Sequence, residues 1–332
     1  MMNGKRWTAL AVAIVLFVVS LGVQLTTTVT SGIMSSVEKL DFDLDALDEY
    51  VIEQGDWDRR IAVLHLEGVI MDSGLSPLLA DTYDHQSFLN MIEQAATDSS
   101  VEAVLLHVDS PGGGVTESAA IHRKLVELQE VYGKPLYVSM GSMAASGGYY
   151  VSAPADKIFA EPSTITGSIG VIMENINYSK LAENYGVEFN TIKSGKHKDI
   201  MSPNRDMTKE EKDILQSMID EMYEDFVDVI VAGRDMSEQE VKEIGDGRIY
   251  TGRQALDNGL VDEVGSFDDA LATLQSDLGL ENAEIFEYGY GLGFLSTFFQ
   301  KIESAIPSQR ADLEIVMNLL RQSDQPRAMY IY

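Results

Sequence analysis

The chain contains no cysteine among its 332 residues. That absence removes disulfides, cysteine-ligated zinc, iron–sulfur clusters and thiol nucleophiles together. Cationic side chains are scarce as well. Lys and Arg number 24 against 53 Asp and Glu, for a net charge of −29. Nucleic-acid binding needs a cationic surface to neutralise phosphates, so no nucleic-acid partner is expected. The same deficit argues against broad attraction to anionic lipid. The excess acid is spread along the chain and reads as solubility charge. No H-E-x-x-H occurs and no paired ligand spacing stands out, so neither a metal nor a cofactor is expected. A hydrophobic share of 45% rules out a wholly disordered chain.

The longest uncharged stretch lies near the start. Lys5 and Arg6 precede Trp7–Leu25, in which Thr8, Ser20 and Gln24 are the only polar side chains. At about 1.5 Å per residue this run just spans a bilayer core of roughly 30 Å. No A-x-A-like cleavage site follows it, and without cysteine it carries no lipoprotein signal. Residues 1–36 therefore read as an uncleaved, single-pass membrane anchor. Basic residues before it and acidic ones after it place the N-terminus in the cytoplasm and the bulk outside the cell membrane. Val37–Asp58, rich in Asp and Glu, reads as an acidic linker or solvated helix.

From Arg59 onward, short β-branched runs alternate with helical patterns, which predicts βαβ units and an α/β fold. The strands expected are Ile61–Leu66, Ala103–Val108, Leu136–Met140, Lys157–Ala160 and Phe189–Lys193. The helices expected are Gln86–Ala96, Thr116–Val131, Ser146–Ser152, Lys180–Tyr185 and a long one over Thr208–Ala232. Ser237 with Glu240 forms a capping box for a further helix. The stretch 285–332 is aromatic and apolar and reads as core, subunit interface, membrane-facing surface or tail. Its end, Pro326–Tyr332, suits a substrate groove, either its own or a neighbour's.

Three glycine-rich segments carry the chemical signal. Asp109-Ser110-Pro111-Gly112-Gly113-Gly114 joins a buried strand to a helix, and its free N–H groups suit a phosphate or an oxyanion. It lacks the G-K-[ST] of a P-loop and the G-x-G-x-x-G of a dinucleotide site. In Gly141-Ser142-Met143-Ala144-Ala145-Ser146-Gly147-Gly148, Ser146 opens a helix, either as an N-cap or as a nucleophile beside the Gly147 N–H. Ser142 is the rival serine. The third segment is Thr166-Gly167-Ser168-Ile169-Gly170, followed by Lys193-Ser194-Gly195-Lys196-His197-Lys198-Asp199. A serine nucleophile needs a base. His65, His85, His107, His122 and His197 are the histidines, and Lys193, Lys196 or Lys198 would serve if neutral. Spacing does not choose among them.

In order, D-S-P-G-G-G, M-A-A-S-G-G-Y-Y, T-G-S-I-G-V and S-G-x-x-K-D-I resemble the signal peptide peptidase A family in its short, single-repeat bacterial form. Gly247–Ala255 and Gly259–Asp262 fit a further family stretch. The resemblance implies a ClpP/crotonase-like fold of repeated ββα units over residues 59–284 and a serine–lysine dyad. By motif, Ser146 would be the nucleophile, Lys198 the general base and Ser168 the hydroxyl that holds the lysine amine. Gly113 and Gly147 would supply the oxyanion hole. The resemblance further implies a membrane-bound serine endopeptidase acting on residual signal peptides and some misfolded chains. It implies a ring- or dome-like homo-oligomer with active sites at protomer contacts, and leaves open whether Lys198 serves the Ser146 of its own chain or of a neighbour.

Three rival readings stand beside it. A Ser-His-Asp protease would need a histidine soon after the serine, and none lies between Gly147 and Lys196. An acyl-CoA enzyme of crotonase fold would need acid–base carboxylates and a cytoplasmic cofactor. A catalytically silent membrane-anchored scaffold would have no use for the full Ser146, Ser168 and Lys198 set.

Overall fold

Two runs of alternating residues face opposite sides of one sheet. Ala62, Leu64, Leu66, Val104, Leu106 and Val108 point to one side; Ile61, Val63, Ala103 and Leu105 point to the other. All ten are buried. Strands covered on both faces read as continuous apolar runs, as parallel strands between helices do. The computed structural model describes residues 47–72, 83–290 and 329–331, all within the unit Leu47–Tyr332. The expected anchor, Trp7–Leu25, lies outside the described residues. Among those described, no helix is long and apolar enough to cross a membrane.

The strands are β1 (Leu47–Glu53), β2 (Asp56–Glu67), β3 (Val101–Ser110), β4 (Gly112–Gly114), β5 (Leu136–Ala145), β6 (Lys157–Ala160), β7 (Ile165–Gly167), β8 (Ile249–Thr251), β9 (Glu263–Val264), β10 (Ala283–Tyr290) and β11 (Met329–Ile331). The helices are α1 (His85–Thr97), α2 (Val115–Glu130), α3 (Gly147–Ser152), α4 (Ser179–Asn184), α5 (Lys209–Arg234), α6 (Glu238–Ile244), α7 (Gly252–Asp257) and α8 (Phe267–Leu278). The main sheet runs β1-β10-β2-β3-β5-β6-β9, with β7 beside β5 and β8 beside β7. Every pair is parallel except β1–β10 and β7–β8. Strand β5 changes partner midway. Tyr137–Met140 pair with β6, and Met143–Ala145 pair with β7. That switch opens the sheet where the glycine-rich segments meet.

Caps set the helix boundaries. Thr208, Ser237, Thr251 and Ser266 each form a capping box with the residue three positions on. Buried residues of α1, α2, α3 and α5 share one core with the first face of the sheet. Ala270 and Leu274 of α8 join the second.

Three expectations need correction. From Leu47, the stretch expected as linker or solvated helix is strand. Strand β1 is an edge strand held by its backbone to β10, and its side chains are almost all exposed, so no apolar alternation marks it. Phe189–Lys193 is not a strand; its backbone pairs with no strand among the described residues and all five residues are exposed. Residues 285–290 do not begin a separate segment, because they belong to β10, which lies between β1 and β2 within the sheet.

Candidate active site

Ser146 ends β5 and caps α3, with φ 53° and ψ −115°. Positive φ in a residue with a Cβ is strained, and such residues concentrate at functional sites. Two bonds hold it there. Its N–H donates to the Gly167 carbonyl at 2.8 Å, and its carbonyl accepts from the Tyr150 N–H at 2.8 Å. Its hydroxyl caps nothing. The side chain is fully buried, and Oγ has no partner among the described residues. The rival Ser142 is exposed in mid-strand.

Ser168 is the next rung. In the β5–β7 ladder Ala145 pairs with Gly167, so the two following serines emerge side by side. Ser168 also has positive φ, 51°, and its N–H donates to the Arg248 carbonyl at 2.8 Å. The hydroxyls of Thr164 and Thr166 donate to the Gly141 and Ala144 carbonyls, each at 2.6 Å, and pin this turn to β5.

Gly112–Gly114 form the facing wall. The Ile70 N–H donates to the Gly112 carbonyl at 2.9 Å, and the Gly114 N–H donates to the Ile70 carbonyl at 2.8 Å. Successive peptide groups of a strand point to opposite sides. The Gly113 N–H therefore points away from Ile70, toward Tyr330, its partner in the β4–β11 ladder. On its other edge, Met329 exchanges both backbone bonds with Ile172 at 3.0 Å. The C-terminal strand thus lies as a middle strand between β4 and Ile172 of the same chain. A Cβ on Gly112, where φ is +98°, would come within 2.1 Å of the Tyr330 carbonyl oxygen and 2.6 Å of the Gly147 nitrogen. Only glycine fits there.

Tyr330 fills an aromatic pocket. Its ring stacks on Tyr150 at 5.0 Å and lies 4.7 Å from Phe226, and its hydroxyl donates to the Met222 carbonyl at 2.9 Å. His122 packs edge-on to Tyr150 at 5.2 Å. Burial pushes both tyrosine hydroxyls up and pulls the His122 imidazole down to about 4.

The lysines lie elsewhere. Every residue from 187 to 196 is exposed, as is Lys198. Lys193 pairs with Asp199, and Lys196 with Glu210. Asp199 also pairs with Arg205, which binds Glu211. The Arg205 guanidinium and Lys193 hold the Asp199 carboxyl far below the usual range. Arg205 and the Thr208 cap bring Glu211 down to about 2. Among the described residues Lys198 is the one of the three lysines without an ion pair. Within a single chain it does not bond to Ser146, whose Oγ is unpartnered. The structure therefore brings Ser146, Ser168, Gly113 and Gly147 together and leaves Lys198 on the exposed segment. Sequence reasoning missed the rims Ile70 and Ile172, which contribute backbone alone and leave no side-chain signal. Among the described residues no group of acidic and histidine side chains is arranged to hold a metal.

Residues 129–281 match the model of Peptidase family S49. The chain is 38% identical to an Enterococcus faecium protein named "Putative signal peptide peptidase SppA", over 100% of this chain and 99% of that one. It is 30% identical to "Protease 4" of Haemophilus influenzae over 82% of this chain and 46% of the other. It is 33% identical to "Serine protease SPPA, chloroplastic" of Arabidopsis thaliana over 56% of this chain and 28% of that protein. The chain thus belongs to the signal peptide peptidase A family of serine peptidases.

Proposed function

We propose that the protein is a membrane-anchored endopeptidase that hydrolyses residual signal peptides, with Ser146 as nucleophile and Lys198 as general base. The carrying observation is the strand pairing of Tyr330 with Gly113 beside a buried, strained Ser146. A peptide bound as β11 is bound has its backbone read by β4 and Ile172 and one side chain held in the Tyr150–Phe226 pocket. That is recognition by strand addition, and it suits an apolar, extended substrate.

The chemistry follows from the groups present. A serine hydroxyl is a weak nucleophile until a base takes its proton. Lys193 and Lys196 are each paired with a carboxylate, which leaves Lys198 as the candidate amine. Delivered to Ser146 of a neighbouring copy, it would lose water contact, and desolvation favours the neutral form of an amine. Ser168, beside Ser146, would orient the lone pair. Ser146 Oγ attacks the scissile carbonyl as Lys198 accepts the proton. The Gly113 and Gly147 N–H groups receive the oxyanion, each worth about 3 kcal/mol in comparable sites. Lys198 then protonates the leaving amine, and water resolves the acyl-enzyme.

On this reading the homo-oligomer is part of the active site, and the body has the ClpP/crotonase-like fold. Residues 1–36 anchor it in the cell membrane with the catalytic body outside. The test is cleavage of an apolar peptide ester, together with fluorophosphonate labelling, by wild type, Ser146→Ala and Lys198→Ala. Both variants are expected to lose cleavage with the fold retained, and Ser146→Ala to lose the label. Full activity in either removes the dyad.

A further inference from the structure

The reaction scheme leaves one buried hydroxyl unused. Ser118 lies on the inward stripe of α2 with Ile121, Leu125 and Leu128. It is fully inaccessible, and its Oγ has no hydrogen-bond partner among the described residues. Burying an unpaired hydroxyl costs stability that an alanine would not lose.

What the hydroxyl touches gives it a use. A Cβ on Gly147 would lie 2.6 Å from Ser118 Oγ and 3.1 Å from both Gly112 Cα and Gly113 N. Ser118 Oγ thus occupies the space against the Gly147 α-carbon, with the Gly113 amide nitrogen bordering the same point. The two amides hang on different helices. Gly113 directly precedes Gly114, the N-cap of α2, and Gly147 is the first residue of α3. Their separation depends on how closely α2 approaches α3. Ser118 against Gly147 is a contact at the point where that approach matters. Packed interiors do not absorb a changed volume freely, so the size of this one group is transmitted to both amides.

We propose that Ser118 is a positioning residue, its hydroxyl the spacer that holds the Gly113 and Gly147 N–H groups at the separation that grips one oxyanion. The inference rests on the reading of those two amides as the oxyanion donors. Ser118→Ala leaves the spacer short; Ser118→Thr makes it too large. The full chain carrying each substitution is assayed for melting temperature, for kcat and KM on a peptide ester, and for affinity toward the matching peptide aldehyde. The aldehyde's adduct with serine places an oxyanion between the amides. Ser118→Ala is expected to melt no lower than wild type and to keep KM within about twofold. Its kcat and aldehyde affinity are expected to fall together by about tenfold or more, and Ser118→Thr to lose both as well. Unchanged aldehyde affinity in Ser118→Ala overturns the proposal. So does a loss shared equally by KM and melting temperature, which marks a purely structural serine. A wild type that itself neither cleaves the ester nor captures the aldehyde overturns the serine–lysine reading beneath it.

Discussion

The Ser146 N–H donates to the Gly167 carbonyl at 2.8 Å, and that bond sets Ser168 beside Ser146. Both serines have positive φ, so the pair is held by backbone and not by side-chain attraction. A hydroxyl placed to orient an amine contributes through one hydrogen bond to a group that becomes charged, about 1.5–3 kcal/mol. Ser168→Ala is therefore expected to lower kcat by about tenfold to a hundredfold with KM little changed. Steady-state kinetics on a peptide ester measures it, and an unaltered kcat removes Ser168 from the site.

The conformation of Ser146 makes a stability prediction that is independent of chemistry. At φ 53° and ψ −115° an alanine keeps the steric conflict that a glycine relieves. Ser146→Gly and Ser146→Ala are both expected to be inactive, with the glycine variant more stable by about 1 kcal/mol. Denaturant titration of the two distinguishes them. Equal midpoints would mean that the strain is absent.

On the proposed reading the tail lies where a substrate strand would bind and competes with it. Tyr330 is fully buried against Tyr150 and Phe226. Tyr330→Ala is expected to lower stability by up to about 3 kcal/mol, as truncation of a buried aromatic does. It is also expected to raise the cleavage rate of an added peptide at low concentration, since the competing strand is weakened. A synthetic Ala-Met-Tyr-Ile-Tyr peptide added to the variant should inhibit it. If the truncation leaves both rate and stability unaltered, the tail is not held in the groove in solution.

His122 gives the fold an acid sensitivity. Burial lowers its imidazole to about 4 in the folded protein, from an ordinary 6.5. Between those values the unfolded chain binds more proton than the folded one, so stability falls as pH falls from 6.5 toward 4. Above 6.5 this contribution is fully present. The linkage is worth at most about 3 kcal/mol. His122→Phe, which keeps the packing on Tyr150, is expected to flatten the fall in melting temperature over this window. An identical pH profile in the variant assigns the acid sensitivity elsewhere, with His85 and His107, also lowered by burial, the next groups to test.

The parts of this molecule legible in the sequence are those written in side chains. The apolar runs at Ile61–Leu66 and Ala103–Val108 announce buried strands because both faces of the sheet are covered. The Thr208 and Ser237 caps announce helix starts because their partners are local. Gly112, Gly113 and Gly147 stand out because backbone must approach backbone there. Strand β1 was hidden because an exposed edge strand pairs through its main chain. Ser118 was hidden because a small residue on a helix looks the same with or without a task. Spacing alone leaves Lys193, Lys196 and Lys198 open and the family motif singles out Lys198, whereas the ion pairs of Lys193 with Asp199 and of Lys196 with Glu210 appear only in the structure. Glu210 lies on a helix well beyond the lysines, and spacing carries no sign of that contact.

The exposure of Lys198 leads to the last prediction. Within one chain, Ser146 Oγ is buried without a partner and Lys198 lies on an exposed segment. That segment carries Ile176, Leu181, Tyr185 and Ile192 to solvent, at 77%, 60%, 79% and 102% exposure. Apolar side chains grouped this way mark a surface that another protein covers. If that protein is a second copy, one subunit supplies the serine and its neighbour the amine. Ser146→Ala and Lys198→Ala subunits, each inactive alone, should then regain activity when unfolded together and refolded as mixed oligomers. Random mixing of equal amounts leaves a fraction of the sites with one intact serine facing one intact lysine, so recovery is partial, and it should vanish on dilution to monomers. A mixture as inactive as its parents, in oligomers shown to contain both chains, would mean that serine and lysine must come from the same chain.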